Sequence, residues 1–161
     1  MNFMTMAAEV GALLKERGQT VAVAESSAGG LISAALLAVP GASAYFKGGG
    51  TVYTGAAKQI LIGLSDGAMA AARAATETHA LHLARAALER LDADWGIGET
   101  GAAGPAGNRY GDPPGHSCIG VAGPIERAVT VATGLEERGE NMVRFAAAAL
   151  ELLQTCIEKQ T

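Results

Sequence analysis

Residues 20–37, TVAVAESSAGGLISAALL, decide the fold of this chain. A short apolar run at residues 20–23 leads to two serines and two glycines, and a second apolar run follows at residues 31–37. This order predicts a strand, a tight turn and a helix. A helix start presents unpaired N–H groups and the positive end of the helix dipole, which favour an anion or a developing oxyanion. The turn is therefore a candidate site, in which Ser26 and Ser27 are either nucleophiles or helix caps.

Apolar spacing on both sides of this segment predicts further helices and strands. A helix capped by Thr76 carries the apolar stripe Leu81, Ala84, Leu88 and Leu91. The other predicted helices follow the same helical period and cover residues 3–17, 31 to the breaker at 39–41, 55–62 and 141–158. Extended segments are predicted at residues 21–23, 43–53 with a bend or bulge at 48–50, 94–100, 118–122 and 128–133.

The order of these elements predicts the fold class. Helices alternate with short strands, and a hairpin turn follows at residues 123–126. We expect an α/β fold, a three-layer α/β/α domain with a mixed, mostly parallel sheet of about five or six strands. The chain of 161 residues shows no internal repeat, so a single domain over residues 1–161 is expected.

Charge and composition exclude several classes of protein. The net charge is −4, charged residues make up 17% of the chain and no lysine or arginine block occurs, so we expect no nucleic-acid partner. No basic segment followed by an apolar core opens the chain, and no apolar run is long enough for a bilayer. We therefore expect a cytoplasmic protein without a membrane partner. Cys118 and Cys156 fit no metal or redox spacing and are expected to be buried thiols.

Three segments follow strands at the predicted carboxyl edge of the sheet, where open α/β sheets collect ligands. Residues 25–27 supply serines, residues 53–58 supply Lys58, and residues 100–105 supply a glycine-rich loop. Together they are the components of a serine–lysine amide hydrolase. Lys58 falls in the first turn of a short helix, whose positive end is expected to lower the pKa of the amine and suit it as a base. The alternative is a solvated surface lysine.

Other residues near these segments have two interpretations each. Glu25 either orients the lysine or binds a substrate hydroxyl, or it is solvated. Tyr53 either lines a pocket or packs in its strand. His79 and His82 share a helix face, which is more typical of solvated histidines than of a metal site.

Residues 96–101 match G-x-G-x-x-G by letters, but no helix follows promptly, which excludes a dinucleotide-binding fingerprint.

Several linked stretches resemble the CinA C-terminal domain family, known as nicotinamide mononucleotide deamidases. Residues 24–30, AESSAGG, are similar to the family's Ala-Glu-Ser-Cys-Thr-Gly-Gly, and residues 40–46, PGASAYF, to its Pro-Gly-Ser-Ser-Ala-x-Phe. Residues 53–58, YTGAAK, resemble Tyr-x-Asn-x-Ala-Lys, and residues 100–105, TGAAGP, resemble Thr/Ser-Gly-Ile-Ala-Gly-Pro. The likeness covers nearly the whole chain and is to the stand-alone form, which lacks an additional N-terminal domain.

The resemblance implies an amidohydrolase that deamidates nicotinamide mononucleotide, or a related amide, to nicotinic acid mononucleotide and ammonia. Its nucleophile falls on Ser26 and its general base on Lys58, with N–H groups near Ala28 and Gly29 as the oxyanion hole. No metal or organic cofactor is implied. The expected substrate-binding residues are Glu25, Ser27, Ala28, Gly29, Gly30, Tyr53, Thr100, Gly101, Ala102, Gly104, Arg109 and Arg144.

The chain departs from the family pattern at positions that bear on the substrate. The family's threonine is Ala28, the asparagine after the tyrosine is Gly55, and an arginine near the start of the last helix is Glu140. Either Arg109 replaces the lost cation, the substrate differs, or catalysis has been lost. The alternatives to an enzyme are a non-catalytic nucleotide- or phosphate-binding module and a purely structural oligomer. The expected partners are a mononucleotide substrate and further copies of the chain, with a homodimer favoured.

Overall fold

A five-stranded sheet forms the centre of the computed structural model, which describes residues 2–160. The strands are β1 (Val21–Glu25), β2 (Phe46–Thr51), β3 (Trp95–Ala102), β4 (His116–Ala122) and β5 (Arg127–Ala132). They lie in the order β2-β1-β3-β4-β5. β1 pairs in parallel with β2 and β3, whereas β4 runs antiparallel to β3 and β5. Only β4 therefore opposes the common direction, which confirms the mixed, mostly parallel sheet.

Helices cover both faces of this sheet. In chain order they are α1 (Phe3–Arg17), α2 (Leu31–Leu37), α3 (Gly55–Ile60), α4 (Asp66–Ala71), α5 (Glu77–Leu91) and α6 (Arg138–Lys159). α1, α2 and α6 pack together on one face, where Trp95, Phe145 and Leu150 are fully buried. α5 lies on the other face against β1, β3 and β4. This arrangement confirms the three-layer α/β/α fold.

Three elements differ from the sequence prediction. The extended segment expected at residues 43–53 divides into a 3₁₀ turn at Ala42–Ala44 and β2. α4 was not predicted; Ser65 caps it by accepting a hydrogen bond from the Ala68 N–H. α6 begins at Arg138 rather than at residue 141. The 3₁₀ turn and α4 are too short for their apolar residues to show a helical period.

The buried face of α5 also differs from the predicted stripe. Ala84 is buried as expected, but the three leucines of the stripe are only half-buried. Ala80 and Ala84 lie where the backbone of α5 approaches the sheet most closely, and Leu83 is buried beside them. The buried residues of α5 are His79, Ala80, Leu83, Ala84 and Ala87.

Glycines in β3 and β4 allow this close approach. A Cβ on Gly96 would collide with the carbonyl oxygen of Ala84, and one on Gly98 would lie 2.7 Å from the Ala84 nitrogen. A Cβ on Gly120 would lie 2.7 Å from the carbonyl carbon of Ala80. These glycines therefore accommodate a helix backbone, which explains a glycine pattern that matches a dinucleotide fingerprint by letters alone.

Two further expectations concern the thiols and the helices. Cys118 and Cys156 are both free and buried, as predicted. Among residues 2–160, no helix combines the length and the apolar character that crossing a membrane requires.

Candidate functional site

Two buried carboxylates hold the turn between β1 and α2, and the first is Glu25. Its side chain accepts hydrogen bonds from the N–H groups of Gly30 (2.8 Å), Ile32 (3.1 Å) and Ser33 (2.9 Å), and from the Ser33 hydroxyl (2.8 Å). These are the unpaired donors at the start of α2, so Glu25 occupies the place of the anion that a helix start favours. Glu25 thus caps the helix, in place of the expected contact with the lysine or a substrate hydroxyl.

The second carboxylate belongs to Glu99 in β3, which no sequence motif singled out. Its oxygens accept hydrogen bonds from the N–H groups of Ser26 (3.0 Å) and Ala28 (2.7 Å) and from the hydroxyls of Ser27 and Ser117 (2.7 Å for Ser117). Glu99 is fully buried. Burial raises the pKa of its carboxyl, and the hydrogen bonds act in the opposite direction. Glu99 therefore ties the turn to β3 and β4.

The two serines of the turn have different environments. The Ser27 hydroxyl donates to Glu99 and so points into the protein. The Ser26 hydroxyl makes no hydrogen bond among residues 2–160, and Ser26 is 7% exposed. Neither serine caps α2, because the N-cap residue is Gly30 and the N–H groups of the first turn donate to Glu25. Ser26 is therefore the serine whose hydroxyl is available to a ligand.

The oxyanion hole expected near Ala28 and Gly29 is not formed. The Ala28 N–H donates to Glu99 (2.7 Å), and the Gly29 N–H donates to the Ser26 carbonyl (3.0 Å). Ala28 itself belongs to the apolar core. A turn this tight satisfies its own buried donors, so these N–H groups have no free hydrogen for a ligand.

Lys58 is buried in α3, so the surface alternative is wrong. The first turn of α3 is capped by Thr54, which accepts a hydrogen bond from the Ala57 N–H (3.1 Å), and Lys58 is only 5% exposed. Burial lowers the pKa of the amine, and the negative charge of Glu99 partly offsets this. The predicted direction is confirmed, but its main cause is burial rather than the helix dipole. A lysine amine with a lowered pKa is suited to accept a proton.

The amine of Lys58 contacts His79 of α5. Lys58 Nζ lies 3.0 Å from His79 Nε2, and His79 Nδ1 lies 3.1 Å from the carbonyl oxygen of Ala72. His79 is 1% exposed, so the solvated face predicted for it is wrong. Burial and then the charge of Lys58 lower the pKa of this imidazole to about 4. His82 is half-buried, and residues 2–160 hold no cluster of three metal-ligating side chains.

The lowered pKa of His79 makes stability depend on pH below neutrality. Between pH 6.5 and about 4 the unfolded chain binds a proton at this histidine that the folded chain does not. The stability from neutral His79 is complete above pH 6.5 and is lost as the pH falls towards 4. The free energy of unfolding, measured with urea, should therefore fall more in the wild type than in His79→Gln when the pH is lowered from about 7.5 to about 4.5. His82→Gln should follow the wild type, and equal weakening in wild type and His79→Gln would contradict the assignment.

A cavity of about 510 Å³ opens beside Lys58. Two guanidinium cations, Arg73 and Arg109, line it together with the Lys58 amine, and no carboxylate among the described residues does. The guanidinium carbons of Arg73 and Arg109 lie 4.7 and 5.0 Å from the centre of the Tyr110 ring, and Arg73 pairs with Asp112 at 2.9 Å. Such a lining favours an anionic ligand. The other lining residues are Tyr53, Gly55, Met69, Ala70, Ala72, Ala74, His79 and Tyr110.

The glycine-rich loop after β3 is hydrogen-bonded to side chains of α6. The carbonyl of Ala103 accepts a hydrogen bond from Asn141 Nδ2 (2.7 Å), and that of Gly104 accepts one from Arg138 Nη1 (2.6 Å). Arg138 also donates to the Tyr53 hydroxyl (3.1 Å). Arg138 therefore links this loop to the segment after β2 and brings Tyr53 and Gly104 together.

The predicted binding residues Thr100, Gly101 and Ala102 make their contacts inside the protein. Thr100 Oγ1 accepts a hydrogen bond from the Ala75 N–H (2.9 Å), and the Ala102 carbonyl accepts one from the Gly115 N–H (2.8 Å). A Cβ on Gly101 would collide with the backbone of β4. These internal contacts are sufficient to explain why the three residues occupy these positions, and no ligand contact is needed.

The model of the CinA C-terminal domain family matches residues 3–157 of this chain. The chain belongs to the CinA C-terminal domain family. Curated relatives include a CinA-like protein of Synechocystis sp., 40% identical over 149 residues, and one of Chlorobium limicola, 38% identical over 160 residues. These alignments cover 92% and 96% of the chain but only 36% and 37% of the relatives, so the chain spans little more than a third of their length.

Solved structures of CinA superfamily proteins share the fold. The competence damage-inducible protein A (ComA) of Klebsiella pneumoniae superimposes with a TM-score of 0.92 at 23% identity, with 100% of both chains covered. The competence/damage inducible protein CihA of Agrobacterium tumefaciens gives a TM-score of 0.87 at 27% identity and covers 99% of this chain and 97% of its own. The three-layer arrangement of this chain is therefore that of the CinA superfamily.

One arginine near the predicted site, Arg138, was not among the residues predicted from the sequence. Glu140 stands where the resemblance has an arginine, and it pairs with Arg144 at 3.1 Å on the exposed surface of α6. Arg144 is not among the residues that line the cavity, and its role in substrate binding stays a prediction. Arg138, two residues before Glu140, instead reaches the loop and Tyr53. In the sequence, the feature that could have indicated Arg138 is its position two residues before Glu140, where the family pattern has an arginine.

Proposed function

We propose that this CinA-family chain is an amidohydrolase that converts nicotinamide mononucleotide, or a related amide, to nicotinic acid mononucleotide and ammonia. The observation that carries the proposal is the burial of Lys58, which lowers the pKa of its amine at the wall of a cavity. An unprotonated lysine is an established substitute for histidine as the base that activates a serine.

Ser26 is the nucleophile in this proposal. Its hydroxyl is free of hydrogen bonds among the described residues, and it follows β1, whereas Lys58 follows the adjacent β2. Ser26 Oγ attacks the amide carbon and passes its proton to the Lys58 amine, which returns a proton to the departing ammonia. Water then attacks the acyl-enzyme and gives a proton to Lys58, which returns it to Ser26 Oγ as the acyl bond breaks and the acid is released. Glu99 influences both residues, because it accepts the Ser26 N–H and its charge acts on Lys58.

The charge of the cavity supports a phosphorylated substrate. Arg73 is neutralised by Asp112. The side chain of Arg109, in contrast, donates to the Tyr110 hydroxyl (2.9 Å) and has no carboxylate partner among residues 2–160. Its guanidinium therefore keeps donors for phosphate oxygens. This supports the expectation that Arg109 replaces the cation lost at Glu140.

Two observations favour a second candidate function, a non-catalytic module that binds a mononucleotide or phosphate. The Lys58 amine is bonded to His79, and the N–H groups of Ala28 and Gly29 already have acceptors. Ser26 is also not among the residues that line the cavity. Such a module would hold its ligand in the cationic cavity without turnover.

Ammonia release from nicotinamide mononucleotide distinguishes the two candidates. The wild type should release ammonia, and Ser26→Ala and Lys58→Met should each lower kcat/KM about 100-fold, because the nucleophile or the base is removed. Ser43→Ala and Lys47→Met change exposed residues of the same types and should retain activity. Mononucleotide binding without ammonia release would support the module. Full activity in Ser26→Ala would overturn the nucleophile.

A further inference from the structure

The hydrogen bond between Lys58 and His79 joins α3 to α5. Their side-chain nitrogens are 3.0 Å apart, and the two residues are 5% and 1% exposed. Water competes little for such a buried bond, so it is stronger than a bond on the surface. The long, flexible side chain of Lys58 therefore ends on one defined partner.

The neighbours of His79 determine which ring nitrogen carries the proton. Nδ1 lies 3.1 Å from the carbonyl oxygen of Ala72, which can only accept, so Nδ1 carries the hydrogen. In the neutral ring Nε2 then has a lone pair and accepts from the Lys58 amine. Because the pKa of the ring is about 4, this neutral form is the one present near neutral pH.

Contacts to the ring and to the backbone of His79 place this residue at the junction of α4 and α5. Thr76 caps α5, where its hydroxyl accepts a hydrogen bond from the His79 N–H (3.2 Å) and donates to the Arg73 carbonyl (2.8 Å). Ala72, whose carbonyl accepts from Nδ1, is the C-cap residue of α4. The Ala72 carbonyl therefore orients the ring independently of Lys58, and the Thr76 cap fixes the backbone that carries it.

We propose that His79 is a positioning residue for Lys58. As a fixed and neutral acceptor, it holds one N–H of the amine and leaves the rest of the amine to the cavity that both side chains line. His79 acts through Lys58 and takes no proton from the substrate in this role. The catalytic consequence rests on the proposed function, whereas the contact is testable without it.

Histidine side-chain NMR tests the contact without a substrate. His79 of the wild type should show the Nδ1–H tautomer with an unprotonated Nε2. The positive charge of Lys58 lowers the imidazole pKa, so Lys58→Met should shift the titration of His79 to higher pH. Lys47→Met changes an exposed lysine and should leave this titration unchanged. An Nε2–H tautomer, or an unchanged titration in Lys58→Met, would overturn the proposal.

Kinetics with nicotinamide mononucleotide test the consequence. His79→Leu fills a similar buried volume but removes the hydrogen-bond acceptor. We therefore expect kcat to fall about tenfold and KM to change less than about twofold. His79→Gln retains an acceptor and should restore most of kcat, and His82→Leu, on the same helix, should match the wild type. An unchanged kcat in His79→Leu, or equal falls in His79→Leu and His79→Gln, would overturn positioning. If the wild type releases no ammonia, the proposed function fails and the NMR result alone decides the role of His79.

Discussion

Glu99→Leu should lower the free energy of unfolding by about 4 kcal/mol, because it leaves three buried donors without an acceptor. These donors are the N–H groups of Ser26 and Ala28 and the hydroxyl of Ser27, whereas the Ser117 hydroxyl keeps the Thr100 carbonyl as an acceptor at 3.3 Å. Leucine fills a similar volume, so the loss measures the missing hydrogen bonds rather than a cavity. Urea unfolding followed by circular dichroism gives the value, and the midpoint of thermal unfolding should fall by roughly 10 °C.

Two controls separate this effect from a general sensitivity to substitution. Glu99→Gln keeps a carbonyl oxygen for the two N–H groups, and the serine hydroxyls can rotate to accept from its amide, so we expect a loss of only about 1 kcal/mol. Glu89→Leu is the same substitution at an exposed position of α5, and its free energy of unfolding should lie within about 0.5 kcal/mol of the wild-type value. An equally small change in Glu99→Leu would show that the turn does not need the carboxylate.

Gly98→Ala should lower the free energy of unfolding by about 3 kcal/mol through steric overlap alone. The added Cβ would collide with the carbonyl oxygen of Ala80 and would lie 2.7 Å from Ala84 N and 2.8 Å from Leu83 Cβ. Two of these three neighbours are helix backbone, which cannot rotate away, so α5 must move off the sheet. The measurement is the urea unfolding curve of the purified variant.

Gly139→Ala is the matched control for this glycine. A Cβ on Gly139, in the first turn of α6, would meet no heavy atom within 4 Å. Alanine has the higher helix propensity, so this variant should be neutral or stabilised by up to about 1 kcal/mol. If Gly98→Ala were as stable as the wild type and instead lost ligand affinity, the glycine stretch would have a binding role after all.

Local patterns were sufficient to predict the elements that position the site. The apolar run before Glu25, the glycines after Ser27 and the apolar run that follows fix a strand, a turn and a helix within one short segment. Lys58 was predicted in a short helix over residues 55–62, and α3 covers Gly55–Ile60. These signals depend on neighbouring residues, so one sequence is enough to detect them.

The partners of the site residues were not predictable, because they come from distant parts of the chain. Glu99 is 73 residues from Ser26, and His79 is 21 residues from Lys58. Nothing in the local sequence distinguishes a glutamate that binds a turn from one that faces water. For His79 the helical period was informative, but the predicted stripe was set by three leucines that are only half-buried. The buried face of α5 is offset from that stripe and holds His79, Ala80, Leu83, Ala84 and Ala87.

The capping of α2 by Glu25 has a consequence for the salt dependence and evolvability of ligand binding. Since the protein supplies its own carboxylate to the helix start, an external phosphate must rely on side-chain cations such as Arg109. Affinity based on exposed guanidinium groups falls as ionic strength rises. A backbone nest for phosphate tolerates most side-chain changes, but a site made of side chains can be lost or retargeted by one substitution. Under the proposed function, a substitution at the cavity rim would therefore change ligand preference while the turn with Ser26 stays intact.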